Sequence, residues 1–320
     1  MTESSTVRRL PVTDGNRPMT AARVVLGLAL LLAAAPVLAW SSPVAADSSV
    51  AATAVPSSVP QGGLVRGRVP VGSQLTLLPP DSIPATGAAS PPTQALALRV
   101  AADGQFVLGV GRDQITPVRL LLTLADGRQH TLSIPVSVRE WRIERIEGVP
   151  EATVNPPPAI AARIAREQAE VAQARVRDDD RSDFAATFIL PAKGRVSGVY
   201  GSQRVYNGTP KSPHSGLDVA AAKGTPVHAP AGGIITFAKP DLYLTGGTVL
   251  IDHGHGLSSN FLHLSRLDVK VGDRVEQGQV IGLVGATGRA TGPHMHWGMN
   301  WFGVRVDPQL LLRPADLAAP

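Results

Sequence analysis

The spacing of hydrophobic and polar positions changes along this 320-residue chain, and its first globular part has the short period of β-strands. Between residues 61 and 142, brief apolar runs are separated by turn dipeptides such as Asp103–Gly104 and Asp126–Gly127. Such dipeptides between apolar runs are the strongest short-range signal for a β-hairpin. We therefore predict a small N-terminal β-sandwich module over residues 61–142. Its strands are expected at residues 63–69, 74–78, 95–100, 105–110, 118–124 and 129–138.

A helical spacing follows the three prolines at 156–158. Ile160, Ile164 and Val171 recur within a run rich in Ala, Arg, Glu and Gln, which predicts a helix at about residues 158–178. Acidic residues at 178–180 oppose the helix dipole, so that end is expected to fray. The helix lies within a predicted linker, residues 143–187, and is a candidate regulator of the domain that follows.

From residue 188 to 314 the strand pattern returns, now with glycine every few positions among Val, Ile and Leu. Segments such as "VKVGDRVEQGQVIGLVG" have the order strand, tight turn, strand, and no long helical period occurs. The predicted fold class is therefore mainly β: a small N-terminal β-sandwich, a connecting α-helix and a C-terminal, glycine-rich antiparallel sheet or barrel-sandwich domain.

The N-terminus has the composition of an export segment. Four arginines precede an apolar run at residues 24–39, and small residues suited to cleavage follow. We expect a signal peptide at residues 1–46 and a linker at 47–60. The alternative is an uncleaved anchor, which would be the one expected contact with a membrane.

Composition excludes several other classes of protein. The chain has no cysteine, which rules out disulfides, thiolate metal sites and a lipidated cysteine. Its net charge is only +5, and no arginine cluster interleaved with aromatic residues indicates nucleic-acid binding. Neither the export segment nor the net charge identifies a reaction, so the function has to be inferred from sequence motifs.

The histidines are the best candidates for catalytic or metal-binding residues. Seven of the eight lie between residues 214 and 296, in motifs that include "HSGLD", with His214 and Asp218, and "HMH", with His294 and His296. Residues two apart on a strand share a face, so His294 and His296 would project into one cavity. Two histidines and one aspartate suit a catalytic zinc site, which leaves its fourth position open. A lone "HMH" would favour histidines packed inside a strand over metal ligands.

Taken together with His263 in "NFLHL", these motifs resemble the LytM/lysostaphin-type zinc metallopeptidases of peptidase family M23. The resemblance covers roughly residues 188–312. It implies that His214, Asp218 and His296 bind Zn²⁺, and that His263 and His294 are catalytic. Two imidazoles beside the metal suit proton transfer and oxyanion stabilisation. We assign His294 as the general base and His263 as the transition-state partner, although the sequence leaves these two roles interchangeable.

This sequence departs from the family pattern at Phe261, where many members have tyrosine. A tyrosine before the first motif assists catalysis in some members, and both Tyr200 and Tyr206 are candidates. His228, His253 and His255 match no ligand position and are expected to be loop residues or residues that surround the ligands, with a surface role favoured over a functional one.

The resemblance implies a zinc endopeptidase that hydrolyses the peptide cross-links of peptidoglycan. The N-terminal module resembles one that accompanies some Gram-negative M23 peptidases, which favours a D,D-endopeptidase in the periplasm or cell envelope. Its expected partner is the cross-link peptide, and any regulatory partner is unknown. The alternative is a noncatalytic activator of wall amidases or a wall-binding module, but such proteins usually lack metal residues that are retained here.

A second alternative comes from "VGDRVEQGQVIGLVG", which also looks like the repeat of biotinyl and lipoyl carrier domains. A carrier requires an exposed lysine at a hairpin tip, commonly within Met-Lys-Met. Because no lysine of this chain has that setting, the carrier interpretation is disfavoured.

Overall fold

The computed structural model describes residues 53–79, 94–147 and 157–317, all within a compact unit that extends from Ala46 to Pro320. The predicted signal peptide at 1–46 and the first part of the linker that follows it lie outside the described residues. Within the described ranges, no helix combines the length and apolar character that crossing a bilayer requires.

The N-terminal module is built from short strands that bury one face. Its described strands are β1 (Val59–Pro60), β2 (Leu64–Arg68), β3 (Gln74–Leu77), β4 (Leu96–Leu98), β5 (Gln105–Gly109), β6 (Val118–Thr123), β7 (Gln129–Ile134) and β8 (Val136–Ser137). Strand β9 (Ile143–Ile146) follows them at the start of the predicted linker. Strands β4, β3, β6 and β7 form one sheet in that order, while β2 pairs with β5 and β1 with β8. Alternate residues of β6, such as Leu120 and Leu122, are fully buried, as expected for a strand with one covered face.

One predicted strand of the module, at residues 129–138, is divided in two. Strand β7 ends at Ile134 and β8 begins at Val136, because Pro135 between them has no N–H to donate to the sheet. Strand β8 then runs parallel to β1 instead of continuing beside β6.

The connecting segment contains the predicted helix, α1 (Pro158–Gln173), and then a 3₁₀ turn at Asp183–Ala185. The sequence analysis extended this helix to about residue 178, whereas it ends five residues earlier. The acids beyond its end form ion pairs instead: Asp178 with Arg99, and Asp179 with Arg177. One face of α1 contacts a small apolar cluster of Phe237, Leu242 and Leu250.

The predicted C-terminal domain, residues 188–314, is also built from strands within the same compact unit. Its strands are β10 (Arg195–Gly198), β11 (Gln203–Tyr206), β12 (Thr209–Pro210), β13 (Gly216–Ala220), β14 (Pro226–His228), β15 (Gly233–Leu242), β16 (Gly246–Asp252), β17 (Leu257–Leu264), β18 (Arg266–Leu267), β19 (Arg274–Val275), β20 (Val280–Leu283), β21 (His294–Trp301) and β22 (Val304–Val306). A 3₁₀ turn at Pro308–Leu311 and a short helix, α2 (Pro314–Leu317), follow them.

The largest sheet has the order β10, β13, β21, β17, β16, β15, β19, with β22 beside β21. All of its neighbouring pairs are antiparallel. A smaller sheet of β14, β20 and β18 also belongs to this domain, and the mainly β fold class is confirmed. Strand β9 of the linker joins β11 in a third sheet.

The middle of the large sheet is buried almost without interruption. Every residue of β16 is buried, and so are all residues of β21 after the first. Trp297 and Phe261, which face each other across β21 and β17, are both fully inaccessible. At Gly216 an added Cβ would overlap the backbone of Trp297, so glycine permits the close approach of β13 to β21. The candidate site residues lie on or next to three of these strands, β13, β17 and β21.

Candidate active site

Three donor atoms converge where β13 meets β21. The register places Asp218 directly opposite His296, so that both side chains project from the same face of the sheet. His214 lies just before β13. Its Nε2 is 3.1 Å from Asp218 Oδ1 and 3.0 Å from His296 Nδ1, and these last two atoms are 2.9 Å apart.

The surrounding chain determines which nitrogen of each ring faces this centre. His214 Nδ1 lies 3.0 Å from the Val199 carbonyl oxygen and donates to it, so the lone pair of its Nε2 faces the other two donors. The Nε2 of His296 lies 3.4 Å from the hydroxyl of Ser215, which leaves Nδ1 toward the centre. Such outer partners select the tautomer that a metal-binding imidazole needs.

The donor set fits Zn²⁺. Two imidazole nitrogens and one carboxylate oxygen are typical zinc ligands, and in a tetrahedral site the ligand atoms lie about 3.3 Å apart, close to the separations found here. Three lone pairs this close repel one another unless a cation or a proton lies between them. Among the described residues, His214, Asp218 and His296 form the one group of at least three such side chains able to hold a metal.

The electrostatic environment of the ligands is consistent with this use. Burial lowers the pKa of His296 to about 4, so its ring is neutral at pH 7. Burial opposes ionisation of Asp218, but its hydrogen bonds with His214 and His296 outweigh that effect and hold its pKa well below the usual range. For His214, the hydrogen bond to Asp218 outweighs the effect of burial and raises the pKa, which favours a proton between these groups that Zn²⁺ would displace on binding.

The two remaining predicted histidines lie beside this group. His294 Nε2 is 3.9 Å from Asp218 Oδ1, and its Nδ1 lies 2.9 Å from the carbonyl oxygen of Gly292. The ring of His263 packs on that of His294 with their centroids 4.7 Å apart. The structure therefore brings together all five residues that the sequence analysis selected.

His263 reaches the site through an irregularity of its strand. Regular pairing places Leu262 opposite His296, which would send His263 to the other face of the sheet. Strand β17 has one extra residue relative to β16 at this point, and His263 has a left-handed backbone with φ of 65°. Its Nδ1 then donates to the carbonyl oxygen of Thr287 at 2.8 Å. Burial lowers the pKa of His263, so the ring is neutral near pH 7.

Sequence reasoning missed Thr287, which supports His263 from a distant loop. Its hydroxyl donates to the Leu264 carbonyl and accepts a hydrogen bond from the amide of Gly247, while its carbonyl holds the His263 ring. Val199 and Ser215 were missed for a similar reason, because a backbone carbonyl or a serine hydroxyl carries no motif of its own.

Of the other singled-out residues, two histidines lie in a loop, as expected, but are buried and not at the surface. His253 is fully buried, with Nδ1 donating to the Gly232 carbonyl and Nε2 accepting from Ser259. His255 is buried against the ring of Phe184. Both lie at the tight turn between β16 and β17, whose core packing encloses them.

The two candidate tyrosines have different settings. Tyr200 is buried, and its hydroxyl donates to the carbonyl oxygen of Arg305 at 2.9 Å. Tyr206 is half-buried on β11.

Phe261 is inaccessible in the core, where a phenyl ring needs no hydrogen-bond partner. His228, also half-buried, lies on β14 with its Nδ1 at 2.9 Å from the Gly278 carbonyl.

A mainly β domain with a His–Asp–His group that could hold a metal, and with two histidines beside it, is typical of a metallopeptidase. Comparison with known proteins then identifies the family. The model of peptidase family M23 matches residues 212–308. Peptidoglycan DD-endopeptidase ShyA of Vibrio cholerae is 40% identical over 109 residues, which are 34% of this chain and 25% of that protein. DD-carboxypeptidase/endopeptidase Mpg of Neisseria meningitidis is 43% identical over 102 residues, 32% of this chain and 23% of that protein.

A solved structure extends the similarity beyond the catalytic domain. The crystal structure of a Pseudomonas aeruginosa protein assigned to peptidase M23 is 30% identical, with a TM-score of 0.56, and the match covers 79% of this chain and 94% of that one. The chain belongs to peptidase family M23. The matched segment spans about a quarter of the length of the two curated relatives. Family membership and the His–Asp–His group together support the metal cofactor that the sequence analysis predicted.

Proposed function

We propose that this protein is a zinc-dependent endopeptidase that hydrolyses the peptide cross-links of peptidoglycan, as a D,D-endopeptidase. The observation that carries the proposal is the complete site, in which His263 and His294 lie next to the metal group. The names of the relatives ShyA and Mpg support the substrate and the bond. Peptidoglycan lies outside the cytoplasm, so the same proposal places the protein in the periplasm or cell envelope.

In this mechanism His214, Asp218 and His296 hold the metal, whose function is to polarise the scissile carbonyl and to acidify the attacking water. His294 is the general base, because its Nε2 faces the ligands while its Nδ1–H is held by the Gly292 carbonyl. A proton accepted at Nε2 can then pass to the leaving amine.

His263 stabilises the negative charge that develops on the substrate oxygen. In its neutral form the Nδ1–H is committed to Thr287, so Nε2 is only an acceptor. The stabilising role therefore requires that His263 also carries a proton on Nε2 when the charge develops.

Peptidoglycan digestion tests the function. Cross-linked peptidoglycan is incubated with the zinc-loaded protein, the chelator-treated protein and the His294→Ala variant, and the soluble products are identified by mass spectrometry. We expect only the zinc-loaded wild type to convert cross-linked dimers to monomers. The masses of the fragments identify the bond that is cleaved. Zinc binding without cleavage would contradict the proposal and favour the noncatalytic alternative. Adding a wall amidase would then test whether the protein activates that enzyme.

A further inference from the structure

The metal ligand His214 is attached to a short segment, residues 199–203, by three hydrogen bonds. Its Nδ1 donates to the Val199 carbonyl at 3.0 Å, its amide donates to the Ser202 carbonyl at 2.7 Å, and its carbonyl accepts from the Gly201 amide at 2.9 Å. The position of the imidazole therefore follows the position of this segment.

The opposite side of the same segment is held from outside the peptidase domain. Trp141, which precedes β9, packs so closely on Gly201 that a Cβ there would overlap its indole ring. Arg112 of the N-terminal module donates from Nε to the Gly201 carbonyl at 2.9 Å. The amide of Gln203 donates to the carbonyl of Arg142 at 2.9 Å, at the start of the pairing between β11 and β9.

The indole of Trp141 is itself fixed on several sides. The guanidinium carbons of Arg112 and Arg139 lie 4.9 and 4.6 Å from its ring centroid, distances at which cation–π attraction is effective. The ring of Tyr200 meets it edge-on with centroids 5.8 Å apart. A half-buried tryptophan held in this way has little freedom to move.

We propose that Trp141 is a positioning residue for His214, acting through Gly201 and residues 199–203, so that the N-terminal module controls metal affinity. This inference rests on the proposed function in requiring that His214 binds the metal. Without the indole, Gly201 has a cavity beside it and the segment can shift, which moves His214 Nε2 away from Asp218 and His296. Outer-shell changes around metal ligands typically weaken metal binding by about 10- to 100-fold.

The test measures Zn²⁺ affinity of the full-length protein by competition with a chromophoric chelator, independently of catalysis. We expect Trp141→Ala to weaken Zn²⁺ binding by about 10-fold and Trp141→Phe, which retains a ring against Gly201, to remain within about 3-fold of the wild type. The matched control is Arg66→Ala, because Arg66 donates to the Ala186 carbonyl and so joins the N-terminal module to the rest of the chain without touching residues 199–203. This control is expected to bind Zn²⁺ normally.

A spectroscopic measurement separates positioning from loss of folding. Co²⁺ loaded in place of Zn²⁺ reports ligand geometry through its visible bands, and the bands of Trp141→Ala should shift while its thermal melt remains cooperative. If that variant does not fold, Arg112→Gln, which removes the hydrogen bond to Gly201 together with the cation–π contact to Trp141 and the ion pair with Asp113, is measured in the same way. Wild-type affinity and spectrum in both variants, or equal weakening in Arg66→Ala, would overturn the inference. Failure of the wild type to bind Zn²⁺ would instead overturn the proposed function and the inference with it.

Discussion

At the scale of single residues, the site combines ordinary strand geometry with one departure from it. Asp218 and His296 face each other because antiparallel pairing places opposite residues on the same face. His263 depends on an extra residue in β17 and a positive φ, a conformation that non-glycine residues adopt at an energetic cost. The Thr287 and Thr245 carbonyls, which accept from its ring and its amide, hold it there.

The different positions of His294 and His296 lead to a prediction. His296→Ala should lose tight Zn²⁺ binding, because one of three ligand atoms is removed. His294→Ala should retain Zn²⁺ and lose turnover by about 10²- to 10⁴-fold, the usual contribution of a general base. Metal content after dialysis and single-turnover cleavage distinguish the two variants. Equal loss of metal in both would contradict the division of roles.

The buried His253 leads to a prediction about stability. Burial lowers its pKa to about 4, whereas an unfolded histidine titrates near 6.5. Between these values the unfolded chain binds a proton that the folded chain does not, so stability present above pH 6.5 is lost as the pH falls toward 4. The shift corresponds to roughly 3 kcal/mol of stability.

The measurement is urea unfolding at pH 7.5 and pH 4.5 with chelator present. The wild type should lose more stability than His253→Gln, whose side chain does not titrate. The comparison with the variant is needed because burial raises the pKa of the adjacent Asp252 to about 6, which has the opposite pH dependence in the same range. Identical pH profiles would show that His253 does not titrate as inferred.

At the scale of elements, helix α1 is attached to the β15–β16 hairpin. Glu167 accepts a hydrogen bond from the Tyr243 amide at 2.8 Å, and Arg163 donates to the Asp241 carbonyl. Two residues beyond Tyr243, the Thr245 carbonyl accepts from the amide of His263. The candidate regulator therefore contacts the hairpin end that supports a proposed catalytic residue.

We predict that Glu167→Ala changes the turnover number by roughly 3- to 10-fold without changing Zn²⁺ affinity, since a small misplacement of a catalytic group is costly. Glu170→Ala is the matched control, because Glu170 lies on the same helix but pairs with the exposed Lys239 of β15 and does not bond to the hairpin end. Steady-state cleavage of a defined cross-linked muropeptide measures both. Unchanged turnover in the Glu167 variant would exclude a regulatory effect through this contact.

At the scale of the whole molecule, the N-terminal module and the peptidase domain are joined by polar contacts. Arg139 donates to the Gln61 carbonyl and to Asp307, whose side chain is only 1% exposed. Asp307 also accepts from the amide of Gln309 and so caps the 3₁₀ turn that follows it. The ion pair thus links the module to the C-terminal end of the peptidase domain.

Removal of Arg139 should therefore destabilise the whole protein. Arg139→Ala leaves Asp307 buried without its cation, and we expect a loss of about 1–3 kcal/mol, less than for a fully buried pair because Arg139 is partly exposed. Arg142→Ala, which removes an exposed pair with Glu144, should cost under about 0.5 kcal/mol. Urea denaturation compares the two. Equal midpoints would mean that the Arg139–Asp307 pair adds nothing measurable.

The amino-acid sequence alone determined the mainly β class, the position of α1 and the five candidate site residues, because these depend on local periodicity and on histidine and aspartate spacing. It did not determine where elements end when a distant partner competes, as at Asp178, which pairs with Arg99 instead of continuing the helix. The structure alone revealed the bulge that turns His263 inward, the burial of His253 and His255, and the contact of Trp141 with Gly201. Each of these depends on residues far apart in the chain, which come together only when the sheets pack.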